Sequence, residues 1–87
     1  MYSFKGGKKS HRKIANARKE AYAYLKNHPK TTFVEIEDEK GKDVGWVAQH
    51  YIHTREYENT IFFIGDNDFW ILLPSGNLGR KMPKTRR

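Results

Sequence analysis

The sequence contains no cysteine, and this absence excludes a disulfide framework and any metal site built on thiolates. Its four histidines lack the short spacing of metal ligands. The run Asp66-Asn67-Asp68 is not followed by the acidic residue that a calcium loop requires. We therefore expect no metal and no other cofactor. A chain of 87 residues without such supports must be stabilised by its apolar core or by a partner.

Long apolar runs are also missing. No stretch approaches the roughly 18 apolar residues that cross a membrane. The start MYSFKGGKKSHRK has no apolar segment after its charges, so it does not resemble a secretory signal. We expect a cytoplasmic protein without a membrane partner, located in the host cytoplasm if it is viral. Phosphate-cradling glycine loops, nucleophile elbows and kinase signatures are absent, and we expect no enzyme.

Acidic residues are scarce at both ends of the chain. Residues 1–30 contain nine lysines and arginines and one acid, Glu20. Residues 31–79 contain nine acids and three basic residues, whereas residues 80–87 contain five basic residues and no acid. The net charge of +7 is therefore concentrated at the two ends, around an acidic middle. Such a distribution is typical of a protein that contacts a polyanion.

The chain divides into a flexible basic arm (residues 1–9), one α+β domain (10–77) and a basic C-terminal tail (78–87). Gly6-Gly7 interrupts the arm. The pattern predicts a helix from Ser10, as N-cap, to His28, with Pro29 just beyond its end. Its core stripe recurs at spacings of three and four, and consists of Ile14, Ala17, Ala21, Tyr24 and Leu25.

Four later segments read as strands: 31–37, 44–53, 60–64 and 69–73. The hairpin 60–73 is apolar on both faces, and such strands need cover on both sides. The helix can cover one face. The other needs a sheet curled into a small barrel, or a protein partner. We predict an N-terminal helix packed on a small antiparallel sheet of about four strands, with a barrel as the alternative.

The candidate nucleic-acid-binding residues are cations of the arm, the helix and the tail. His11, Arg12 and Lys13 fall in the first turn of the predicted helix, where the macrodipole favours acids, so an anionic partner would explain them. Exposed aromatic rings can stack on bases, and Tyr22 and Tyr51 have the most polar neighbours. The full set is Lys5, Lys8, Lys9, Arg12, Lys13, Arg18, Lys19, Tyr22, Lys26, Tyr51, Arg80, Lys81, Lys84, Arg86 and Arg87.

Three functions fit these residues. The leading hypothesis is a non-enzymatic protein that binds DNA, RNA or a nucleoprotein machine through phosphate contacts. The second is a phage-type inhibitor or accessory protein that docks on a nucleic-acid-processing machine, with hairpin 60–73 as a contact surface. The third is a small ribonuclease toxin. Its acid, base and charge-stabilising groups would come from His50, His53, Arg55, Glu56 and Glu58.

Overall fold

One helix and six strands form the fold, which a computed structural model describes for residues 1–82. The elements in chain order are β1 (Ser3–Phe4), α1 (Ile14–Lys26), β2 (Phe33–Glu37), β3 (Asp43–Gln49), a 3-10 turn (Arg55–Tyr57), β4 (Ile61–Ile64), β5 (Phe69–Leu72) and β6 (Leu78–Lys81). All neighbouring strands are antiparallel, and the sheet order is β1-β2-β3-β4-β5-β6. The α+β class is confirmed. The sheet has six strands rather than about four, and it is open rather than closed into a barrel.

Helix α1 covers one side of the sheet, here called the helix side. Ala17, Ala21 and Leu25 are buried there, as the apolar periodicity predicts. They pack with alternate strand residues such as Val34 and Ile36, whose neighbours point to the opposite side. Apolar side chains recur every second residue in the strands and every three to four residues in the helix, and the two sets meet in one core.

The helix begins at Ile14, three residues later than the predicted N-cap Ser10 implies. Tyr2 and His11 pair as an isolated antiparallel bridge, with N–H to carbonyl distances of 2.6 and 2.7 Å. This pairing holds residue 11 in an extended conformation, and Lys13 becomes the N-cap without a side-chain capping bond. The prediction that His11, Arg12 and Lys13 occupy the first helical turn is therefore wrong, although Lys13, as N-cap, still lies at the positive end of the helix dipole.

Both predicted ends enter the sheet. Phe4, assigned to a flexible arm, pairs with Ile36 and is only 5% exposed, because its ring fills the core against Tyr24. The tail begins with β6 rather than with free chain, and Met82 is buried and donates its N–H to the Phe69 carbonyl at 2.7 Å. Each end thus contributes an edge strand to the sheet, and β6 contains the cations Arg80 and Lys81.

Strand β3 is shorter than predicted and carries a bulge. The register with β2 shifts between Ile36 and Glu37, so that Val44 packs against the core on the helix side. The strand ends at Gln49, and His50 has a φ of 62°, which turns the chain out of the sheet. The predicted strand 44–53 is therefore wrong after residue 49, and residues 50–60 form a connection.

The side of the sheet away from α1, here called the outer face, is apolar too. Phe62 lies on it and is fully buried, because Tyr51 and Tyr57 of the 50–60 connection and Phe69 of β5 surround its ring. The chain thus covers the second apolar face of hairpin 60–73 with its own connection, at one end of the sheet.

Candidate functional site

The outward side of α1 is basic and carries no acid. Asn16, Lys19 and Lys26 are exposed on it, and Arg12 is exposed just before the helix begins. Seven residues of helix rise by about 10 Å, so Lys19 and Lys26 present two ammonium groups two turns apart in one row. A row of cations on a rigid element is a suitable contact for successive phosphates.

Residues 5–11 lie beside this helix and extend the row. The Lys8 N–H donates to Glu20 Oε2 at 2.6 Å, and His11 Nε2 lies 2.7 Å from Glu20 Oε1. Partial burial of the Glu20 carboxyl would raise its pKa. The hydrogen bonds from Lys8 and His11, with the nearby charges of His11 and Lys9, outweigh that effect and hold the pKa below its ordinary value. The one carboxylate of residues 1–30 is thus ionised and engaged internally.

Seven lysine and arginine side chains of the N-terminal segment and α1 are exposed. Within residues 1–82, none of them forms an ion pair with a carboxylate. We call this set the basic face: Lys5, Lys8, Lys9, Arg12, Lys13, Lys19 and Lys26. Its seven cations outnumber the single nearby carboxylate of α1, Glu20, and they are accessible to an anionic partner.

Arg18, predicted with this set, has a different environment. Its Nε donates to the Gly76 carbonyl at 2.8 Å, and its guanidinium carbon lies 5.0 Å from the centre of the Phe63 ring. Burial lowers the pKa of the Arg18 guanidinium, which remains a cation. Arg18 therefore joins α1 to the β5–β6 turn and to β4, and we leave it out of the basic face.

The two predicted stacking tyrosines are separated. Tyr22 packs against the core, and Lys26 Nζ lies 5.7 Å from its ring centre. Tyr51 is 56% exposed and lies on the outer face, where its ring contacts Phe62 and Phe69. Only Tyr51 presents an open ring, and it does so away from the helix row.

The described part of the predicted tail is engaged within the sheet. An Nη atom of Arg80 donates to the Tyr57 hydroxyl at 2.7 Å. Lys81 Nζ lies 3.0 Å from Asp68 Oδ1 and 5.5 Å from the centre of the Trp70 ring. Three further tail residues lie outside the described residues: Lys84, Arg86 and Arg87.

Acidic residues gather where the strands turn at one end of the sheet, and this region is here called the acidic edge. In an antiparallel meander, the β2–β3 and β4–β5 turns lie at the same end of the strands, and both turns here are rich in carboxylates. The backbone N–H groups of Lys42 and Lys40 donate to Asp38 and lower the pKa of its carboxyl below the ordinary value. The acidic edge consists of Glu37, Asp38, Glu39, Asp43, Asp66 and Asp68. Carboxylates thus outnumber Lys40, Lys42 and Lys81 at this end of the strands, whereas cations predominate along α1.

The predicted ribonuclease residues lie in the 50–60 connection, at the end of α1. His50 and Glu58 line one cavity of about 170 Å³ together with Lys26, whereas His53, Arg55 and Glu56 do not line that cavity. His50 Nε2 lies 2.8 Å from the Pro29 carbonyl oxygen. Because a carbonyl oxygen can only accept, Nε2 is the donor, and Nδ1 is the one ring nitrogen left to exchange a proton with a substrate. Within residues 1–82, no group of three or more His, Asp or Glu could hold a metal ion.

The outer face adds a feature that the residue pattern did not single out. Phe33 and Trp46 are 43% and 38% exposed, and their rings stack with centres 4.8 Å apart. Trp46 Nε1 donates to Asp43 Oδ2 at 2.6 Å, which fixes the indole. Alternation within each strand gave the side of each ring only relative to its own strand; the register of β2 with β3 places Phe33 and Trp46 on one face, which is left partly uncovered.

Comparison of the chain with protein families, curated proteins and solved structures gives no match. None of the helices in residues 1–82 has the length and apolarity needed to cross a membrane.

Proposed function

We propose that the protein binds nucleic acid without catalysing a reaction, through phosphate contacts made by the basic face. The proposal rests on the excess of exposed cations over carboxylates in residues 5–26. The single acid, Glu20, is bound by Lys8 and His11, while the surrounding cations have no carboxylate partner among residues 1–82. Like charges held close together repel each other, and a polyanion relieves that repulsion with release of its counterions.

The arrangement supports backbone contacts rather than base readout from this surface. Lysine is a flexible point charge, and only Arg12 in the basic face could form a planar bidentate contact. Affinity from such a surface is electrostatic, and it falls steeply with salt because each phosphate contact releases counterions.

The experiment measures affinity for an oligonucleotide as a function of salt, by fluorescence anisotropy. The double variant Lys19→Gln/Lys26→Gln removes two cations from the helix row, and glutamine keeps helix propensity. Because each phosphate contact contributes about 0.7–0.9 to the slope of log K against log salt, the slope should fall by about 1.4–1.8.

The matched control is Lys40→Gln/Lys42→Gln, which removes the same charge from the exposed turn between β2 and β3. This control should keep the parent slope. Equal effects of the two double variants, or parent binding that is insensitive to salt, would contradict the proposal. Deletion of residues 1–9 is not a usable test, because it would remove Phe4 from the core.

The second candidate, docking on a protein of a nucleic-acid-processing machine, is supported by the acidic edge. Its carboxylates could pair with a basic protein surface while the basic face holds nucleic acid. Recovery of a stoichiometric complex from nuclease-treated extract, lost with Asp66→Asn/Glu39→Gln, would favour this function over direct nucleic-acid binding.

A further inference from the structure

The outer face has an uncovered half. The 50–60 connection buries Phe62 at one end, whereas Phe33 and Trp46 remain 43% and 38% exposed, and Tyr51 is 56% exposed at the border. Exposed rings grouped on one face of a small protein mark a contact surface rather than scattered surface apolarity. In the covered half, by contrast, the 50–60 connection buries the ring of Phe62 within the same chain.

These rings border a groove of about 230 Å³. Phe33 and Trp46 line it from β2 and β3, Tyr51 lines it from the connection, and Ala48 and Ile64 contribute their small or aliphatic side chains. Ala48 is only 4% exposed because larger neighbours stand above it. The groove is therefore shallow, apolar and bounded by flat rings, which suits a planar ligand group.

The groove lies next to the basic face. His50 lines it, and the same residue lines the neighbouring cavity that Lys26 borders at the end of α1. Lys30 is exposed in the connection from α1 to β2, close in sequence to Thr32 on the groove. A chain of phosphates along the helix row can thus continue past His50 toward the rings.

The size and charge of the patch favour bases over a folded protein. A standard protein interface uses roughly 20–30 residues a side, and here the large exposed apolar groups are three rings. Glu35 pairs across the strands with Trp46, and Asp43 holds the indole, so phosphates are disfavoured at that end of the groove. Bases would lie over the rings while the phosphates follow Lys26 and Lys30.

We infer that the nucleic acid is single-stranded and that its unpaired bases stack on Trp46, Phe33 and Tyr51. This inference rests on the proposed function and adds to it. A duplex hides the faces of its bases, so it can use the basic face only. A single strand uses both surfaces, and each base stacked on an aromatic ring strengthens binding about 5- to 150-fold.

The test compares a single strand of about 12 nucleotides with a duplex of the same length. Trp46→Ala should weaken binding of the single strand about 5- to 150-fold and leave the duplex affinity and the salt slope unchanged. Trp46→Phe should restore most of the binding, because a ring is retained. Leu73→Ala is the matched control, since Leu73 is 41% exposed and does not line the groove.

The outcomes separate this inference from the proposed function. Parent-like single-strand binding by Trp46→Ala, or equal duplex and single-strand affinities of the parent, would overturn the stacking site and leave the basic face intact. Absence of binding to both ligands would overturn both proposals. Concentration-dependent self-association of the parent that Trp46→Ala abolishes would instead identify the outer face as a protein interface. Far-UV circular dichroism of each variant checks that it is folded.

Discussion

Gly76 holds the β5–β6 turn against α1, the helix that carries Lys19 and Lys26 of the basic face. Its replacement by alanine should weaken the packing of this turn on the helix. Its φ is +92°, a conformation that costs an L-residue about 1–2 kcal/mol. An added Cβ would overlap the Ala15 carbonyl oxygen and lie 3.0 Å from Lys19 Cβ. Because Gly76 is buried and these atoms belong to the helix, the turn can avoid them only by moving away.

That movement also breaks the bond from Arg18 Nε to the Gly76 carbonyl, which is 2.8 Å long. A hydrogen bond from a charged donor contributes about 1.5–3 kcal/mol. Together with the backbone conformation, the expected loss for Gly76→Ala is about 3 kcal/mol or more. This is a large part of the roughly 5–15 kcal/mol that stabilises a small domain.

Gly41→Ala separates the two contributions. Gly41 has a φ of +81°, and nothing lies within 4 Å of the position of an added Cβ. It therefore carries the backbone cost of about 1–2 kcal/mol without the contact with the helix. In urea unfolding with a slope near 1 kcal/mol/M, the midpoint should fall by about 3 M for Gly76→Ala and by roughly half as much for Gly41→Ala. Equal midpoints for the two variants would refute the reasoning that the turn is wedged against α1.

Two further predictions concern the N-terminal segment. Glu20→Gln should lower stability at neutral pH by about 1 kcal/mol, because it removes the charge that Lys8 and His11 contact. Since the folded pKa of Glu20 lies below its unfolded value, its contribution is present above the unfolded pKa near 4.3 and is lost as pH falls through the folded pKa. The urea midpoints of parent and variant should therefore converge as the pH falls from the unfolded to the folded pKa of Glu20. A difference that persists below the folded pKa would show that the Glu20 charge is not the source of the stability. Phe4→Ala should destabilise the protein by about 3 kcal/mol or more, as for a buried ring, whereas Lys5→Ala beside it should change stability by less than about 0.5 kcal/mol. Similar midpoints for these two variants would mean that residue 4 does not contribute to the core.

Regular elements with strong local periodicity were predictable. The stripe Ala17, Ala21 and Leu25 indicated the helix, and the β-branched and aromatic runs indicated β2 to β5, with errors at their ends. Strands β1 and β6 were missed because two residues (Ser3–Phe4), or four that include Gly79 and two cations, are too few to show an apolar alternation of their own. Their pairing with β2 and β5 supplies the hydrogen bonds, and that pairing depends on residues more than thirty positions away for β1.

The candidate site was predictable in the same uneven way. Exposure of Lys19 and Lys26 followed from helix periodicity, since both lie opposite the core stripe. Arg18 lies four residues after Ile14 and seven before Leu25, so helix periodicity places it beside the core stripe, whereas its bond to Gly76, 58 residues away, has no local pattern. The open rings of Phe33 and Trp46 likewise depend on how far the 50–60 connection reaches across the outer face.

The sequence by itself determined the absence of cysteine-based supports, the helix and four of the strands, and the division into basic ends and an acidic middle. These properties are local, because they depend on residue type and on spacings of two to four. Only the tertiary structure decided that Ser3–Phe4 and Leu78–Lys81 form edge strands, that Glu20 is bound by Lys8 and His11, and which aromatic rings stay open. Those features depend on contacts between distant residues, where packing and pairing override local preference.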